Sequence, residues 1–111
     1  MENLDTTLKQ LSALSQETRL LTFRMLMETG RDGLPAGVIA EQLKLAPNKL
    51  SNHLTILVQS GLVTVERRGR HMVYRAVIGA VNGLLNTLVE NCCHGHPDVC
   101  APLAELEPIT C

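Results

Sequence analysis

The chain has 111 residues, enough for one domain with one core. Apolar residues make up 45% and aromatic residues 2%, so the core must be aliphatic, and no apolar run approaches the ~20 residues that would span a membrane. The formal net charge is −1, which excludes a globally basic nucleic-acid binder, yet residues 49–75 hold Lys49, Arg67, Arg68, Arg70 and Arg75 against Glu66 alone. A basic patch on an acidic body can present one face to phosphates and repel them elsewhere. The bland alternative is a solvated arginine-rich loop. The start Met1-Glu2-Asn3-Leu4-Asp5 is acidic and lacks the basic and apolar regions of a signal peptide, so a cytoplasmic protein is expected.

Residues 4–14 place Leu4, Leu8, Leu11 and Leu14 at helical spacing, with Asp5, Thr6 and Thr7 suited to a first turn. Ser15 looks like the N-cap of a second helix that carries Leu20, Leu21, Phe23, Met25, Leu26 and Met27 and is ended by Gly30. Arg31-Asp32-Gly33 reads as a turn. Pro35 fits the first turn of a third helix, in which Val38, Ile39 and Leu43 are expected to face inward. Leu45-Ala46-Pro47-Asn48 makes a tight turn into a fourth helix, about Pro47 to Ser60.

That fourth helix divides cleanly. Leu50, Leu54, Leu57 and Val58 form an apolar stripe. The other face shows Asn48, Lys49, Ser51, Asn52, Thr55 and Gln59, short polar groups that can reach base edges and phosphates. His53 lies at the border, where a satisfied structural histidine and a DNA contact are both open. After Gly61, Leu62 to Glu66 and Met72 to Arg75 alternate as strands around a tip, Arg67-Arg68-Gly69-Arg70-His71. A last helix, about Ala76 to Glu90, carries Val77, Val81, Leu84, Leu85, Leu88 and Val89. So wide an apolar face, together with the first helix, suits a homodimer interface.

The fold expected is mainly α with a β-hairpin: a dimeric winged helix-turn-helix of about five helices and two strands. Residues 1–91 would form the DNA-binding and dimerisation domain, and 92–111 a cysteine-containing tail. All four cysteines, Cys92, Cys93, Cys100 and Cys111, fall there. In a reducing compartment such clustering points to metal or redox chemistry before structural disulfides.

The chain resembles the ArsR/SmtB family of metal-sensing bacterial repressors. The resemblance rests on Leu11-Ser12-Ala13-Leu14-Ser15-Gln16-Glu17-Thr18-Arg19-Leu20, on Leu45 to Leu54, on Leu57-Val58-Gln59-Ser60-Gly61-Leu62-Val63, and on Arg68-Gly69-Arg70-His71-Met72-Val73-Tyr74-Arg75. It implies a dimer that holds double-stranded operator DNA until a ligand arrives, with the helix around Ser51 to Leu54 in the major groove. Asn48, Lys49, Ser51, Asn52, His53 and Thr55 would then lie at or near DNA, and Arg67, Arg68 and Arg70 on the wing would approach backbone or minor groove. Two sensing sites that the family uses are missing. The third helix, around Leu34-Pro35-Ala36-Gly37-Val38, has no Cys-x-Cys, and the last helix offers Asn82, Asn86 and Glu90 but no histidine.

What remains is Cys92, Cys93 and Cys100, which resemble the C-terminal arsenite site of arsenic-responsive members. Three thiolates suit a soft three-coordinate centre such as As(III) or Sb(III). Adjacent cysteines converge on one atom only where a helix ends, and Gly95 and Pro97 supply that ending. The alternatives are a zinc or cadmium site drawing on His94 or His96, and a redox switch between the same cysteines. A small thiol reductase is disfavoured by the lack of Cys-x-x-Cys, of a phosphate loop and of an acid/base pair, so no catalytic residue is assigned. A DNA-binding module that senses only through a protein partner is the third class.

Overall fold

The computed structural model describes residues 4–89. In chain order these form α1 (Leu4–Leu14), α2 (Glu17–Thr29), a 3-10 turn (Gly30–Asp32), β1 (Leu34–Pro35), α3 (Ala36–Leu43), α4 (Pro47–Gln59), β2 (Val63–Arg68), β3 (His71–Ala76) and α5 (Ile78–Leu88). The three strands make one antiparallel sheet in the order β1-β3-β2. Five helices and the hairpin match the fold the sequence implies. The two-residue strand β1 is additional. It pairs Leu34 with Tyr74 and Pro35 with Val73, and is too short to announce itself by alternation.

The core is aliphatic, as composition requires. Leu26, Ile39, Leu50, Leu54, Leu57 and Leu62 are essentially sealed from solvent, with Phe23 and Val63 beside them. They come from α2, α3, α4 and the approach to β2, so the core fixes the angle between α3 and α4. The turn between these helices uses Lys44 in the left-handed conformation (φ 54°, ψ 45°), its N–H bonded back to the Ala40 and Glu41 carbonyls. Pro47 then occupies the first turn of α4, where no N–H is needed.

Several local details differ from the sequence reading. The N-cap of α2 is Gln16, whose side chain accepts from the Arg19 N–H at 2.9 Å. Ser15 instead donates its hydroxyl to the Ser12 carbonyl at the end of α1. Pro35 caps α3 rather than entering it, because its extended backbone is held against β3. Val38 is exposed, while Ile39 and Ala40 take the buried positions of α3. The hairpin strands run to Arg68 and His71, leaving a two-residue turn, Gly69-Arg70. Only Gly69 has positive φ there, the type II′ pattern that suits a twisted hairpin. Helix α5 starts at Ile78, two residues late, since Ala76 still pairs with Val63 and the Val77 N–H bonds the Leu62 carbonyl at 2.8 Å.

One glycine is fixed by crowding. Gly33 has φ 66°, and a Cβ there would stand 2.5 Å from the Tyr74 carbonyl oxygen. The turn after α2 can therefore seat against β3 only without a side chain.

The two terminal helices turn apolar edges outward. The buried residues of α1 are Thr7, Gln10 and Ala13, while Leu8 is 56% exposed and Leu4 and Leu11 are exposed beside it. On α5 only Leu84 is buried, and Leu88 is 54% exposed. Among the described residues, no helix is long and apolar enough to cross a membrane.

Candidate nucleic-acid interface

Helix α4 projects its polar face to solvent because its opposite face is bolted into the core. Leu50, Leu54 and Leu57 are buried, and Asn48, Lys49, Ser51, Asn52 and Thr55 are all exposed. The spacing of the leucines fixes which way the polar groups look. The Thr55 hydroxyl donates to the Ser51 carbonyl at 2.9 Å, which leaves its oxygen lone pairs outward as acceptors.

His53 behaves differently. It is half-buried, and its Nδ1 lies 3.2 Å from Nη1 of Arg19 on α2. The same arginine donates from Nε to the Ala13 carbonyl at 2.7 Å, near the end of α1. His53 is thus tied inward to α2, and only the remainder of its ring is available to a partner outside. Arg19 itself was not among the site residues expected from sequence. Its two partners lie six residues before it and thirty-four after it in sequence, and no pattern of apolar spacing reveals that.

The wing separates its arginines by role. Arg68 donates from Nε to a Glu66 carboxylate oxygen at 3.0 Å, and Arg75 donates from Nη2 to the same oxygen at 2.6 Å. Arg75 also donates from Nε to the Arg31 carbonyl at 2.8 Å, which fastens β3 to the turn after α2. Arg75 is therefore spent on structure, and the basic surplus counted along residues 49–75 overstates the charge offered to a partner. Arg67 reaches the Gly69 carbonyl at 3.4 Å, a weak contact. Arg70, at the tip, makes no ion pair or side-chain hydrogen bond among the described residues. The Glu66 carboxyl is held below the usual carboxylate range, first by the hydrogen bond from Arg75 and then by that from Arg68. Glu66 and Arg68 are exposed and Arg75 is only partly covered, so the energies involved are small.

The expected sensing residues Cys92, Cys93 and Cys100 lie outside the described residues, as do Glu90, His94, His96 and Cys111. Among the described residues, no group of three His, Cys, Asp or Glu side chains gathers to hold a metal ion.

A short helix pair with an exposed polar second helix, flanked by a basic β-hairpin, is the architecture of a winged helix-turn-helix DNA-binding protein. Comparison with known proteins agrees. A helix-turn-helix domain family matches residues 14–66. The HTH-type transcriptional regulator YbzH of Bacillus subtilis (strain 168), itself uncharacterised, is 31% identical over an 88-residue alignment that covers 68% of this chain and 88% of the relative. The structure of an ArsR-like transcriptional regulator from Rhodococcus sp. RHA1 superimposes with a TM-score of 0.73 at 25% identity, covering 96% of each chain. A possible transcriptional regulator for arsenical resistance superimposes with a TM-score of 0.63, also at 25% identity, over 72% of this chain and 80% of that one. The chain belongs to the ArsR family of DNA-binding helix-turn-helix transcriptional regulators.

Proposed function

We propose that the protein is a homodimeric repressor that holds an inverted-repeat operator and releases it when As(III) or Sb(III) binds Cys92, Cys93 and Cys100. One observation carries the DNA half of this reading: the short polar side chains of α4 all face solvent, and the basic hairpin follows directly in the chain. Asn48, Lys49, Ser51, Asn52 and Thr55 are the groups assigned to base edges and phosphates in the major groove. Arg67, Arg68 and Arg70 supply salt-dependent backbone or minor-groove contacts. His53 serves mainly to hold α4 through Arg19.

The dimer is supported by the outward leucines of α1 and by Ile78 and Leu88 of α5, which one copy leaves uncovered. Two symmetric copies would set two α4 helices about one DNA turn (~34 Å) apart.

The inducer half rests on sequence chemistry. Cys92 and Cys93 follow the end of α5 by a few residues. Three soft thiolates prefer a thiophilic three-coordinate centre, and a relative of similar fold is described as a possible regulator for arsenical resistance. Binding must displace thiol protons, so it weakens as pH falls. A ligand that gathers residues just beyond α5 acts on the helix assigned to the dimer, and a coupling of about 1–3 kcal/mol suffices to release DNA.

The test is a release titration on a self-complementary operator duplex with reduced protein, comparing arsenite with zinc. Release by arsenite at low stoichiometry, with zinc inert, is expected. Release by zinc alone would replace the inducer and bring His94 and His96 into the site. Release only on oxidation would make the tail a redox switch.

A further inference from the structure

Beneath α1, turned away from its exposed leucines, lies a crevice of about 340 Å³. Its walls include Thr7 and Gln10 of α1, Ser60 just past α4, and Gly83, Leu84 and Thr87 of α5. None of its lining residues is charged.

The crevice concentrates the buried polarity of the molecule. Among the described residues the buried polar side chains are Thr7, Gln10, Thr22 and Ser60, and three of these four line it. Ser60 is satisfied, since its hydroxyl donates to the Leu57 carbonyl at 2.7 Å and accepts from the Leu62 N–H at 3.3 Å. Gln10 is not. It is only 5% exposed, and its amide has no hydrogen-bond partner among the described residues. Its side chain lines the crevice. A buried amide in that position is costly unless something in the cavity completes it. The volume exceeds what one water fills and falls in the range of small-molecule sites.

We propose that this crevice is a binding site for a small uncharged ligand carrying an amide-like edge, an N–H donor beside a carbonyl acceptor. Gln10 offers the complementary pair, its Oε1 accepting and its Nε2 donating. The neutral walls give an ion nothing to repay its desolvation, which selects against charged ligands. Leu84 and Ala80 supply apolar contact for a flat ring. Gly83 also lines the crevice, and a Cβ there would meet nothing within 4 Å, so a side chain can be introduced without a clash.

The experiment titrates the free full-length protein with uracil and with nicotinamide at millimolar concentration, followed by amide NMR shifts, with nicotinate and benzene as controls. Uracil or nicotinamide should move the signals of α1, Ser60 and α5, and the controls should not. Gln10→Leu keeps the volume and removes the polar edge, and should weaken binding about tenfold or more. Gly83→Leu, at an exposed helical position, should fill the crevice and abolish binding while the protein stays folded. No shift with either probe, equal shifts with benzene, or undiminished binding by Gly83→Leu would overturn the site. Because DNA is absent from the assay, its outcome does not depend on the operator reading.

Discussion

The Arg19 guanidinium stands 3.2 Å from Nδ1 of His53 and at the same time donates to the Ala13 carbonyl at 2.7 Å. One side chain thus joins the end of α1, the start of α2 and the middle of α4. A helix that reads DNA must keep its tilt while its outer face exchanges water for base edges. The apolar stripe of α4 fixes its rotation, and the Arg19 link pins it laterally to α2. Replacing Arg19 by Met keeps the apolar stem and removes both bonds. The expected loss is about 1–3 kcal/mol of unfolding free energy, seen as a lowered urea midpoint at unchanged slope. Operator affinity should fall as well, with an unchanged salt slope, because no phosphate contact is removed. A variant as stable as the parent would show the link to be incidental.

Glu66 restrains the wing. Its carboxylate takes Arg68 and Arg75 together, at 3.0 and 2.6 Å. Of the two, only Arg68 belongs to the residues assigned to DNA. Glu66→Gln removes a negative charge beside the phosphates and releases Arg68 to them. Operator affinity should rise several-fold at low salt, and the log–log salt dependence should steepen by up to about one unit. Filter binding at several salt concentrations measures both. The pH dependence has a definite sign. The folded carboxyl titrates below its ordinary value, so its ionic links are complete above that value and are lost as pH falls through the depressed one. Between neutral pH and mildly acidic pH the wing should therefore not change, and the parent and Glu66→Gln should converge only in acid.

The leucine edge of α1 gives a separate prediction. Leu8 and Leu11 are exposed on one copy and are not part of the buried core, so a charge there should leave the fold intact. In a dimer the same positions would be sealed. Leu8→Glu should raise the dimer dissociation constant by at least about thirtyfold, the size expected for a buried hydrophobic anchor. Sedimentation equilibrium measures it, and far-ultraviolet circular dichroism checks that helices persist. Operator binding should become steeply concentration-dependent. If Leu8→Glu remains dimeric, the interface lies elsewhere.

These particular residues also show what sequence could convey. The polar face of α4 was legible because period 3.6 sorts Leu50, Leu54 and Leu57 from Asn48, Ser51, Asn52 and Thr55 without reference to any partner. The leucine stripe of α1 was legible as a stripe, but its direction had to be seen: Thr7, Gln10 and Ala13 go inward and the leucines stay out. Hydrophobicity alone would bury the leucines, and a single copy leaves them exposed. Arg75 looked like part of the basic patch, yet the Arg31 carbonyl and Glu66 claim it. Such long-range polar ties depend on where loops return, which no local pattern encodes. Ser15 and Gln16 are both able to cap, and the choice went to the one whose side chain reaches the Arg19 N–H.

The final prediction concerns the three cysteines assigned to the inducer. Cys92→Ser, Cys93→Ser and Cys100→Ser each replace a soft thiolate by a hard, neutral hydroxyl of nearly equal size. None of these positions belongs to the groups assigned to DNA, so each variant should hold the operator as tightly as the parent. Arsenite should no longer release it, because two remaining thiolates leave a three-coordinate centre open to exchange. The parent itself should need more arsenite as pH is lowered, since each thiol must first give up its proton. Cys111→Ser serves as the internal control and should release normally. A titration monitored by fluorescence anisotropy of the duplex reads all five proteins on one scale. Normal release by any one of the first three variants would remove that cysteine from the ligand set. Normal release by all three would end the thiolate reading and leave a DNA-binding protein whose signal enters elsewhere.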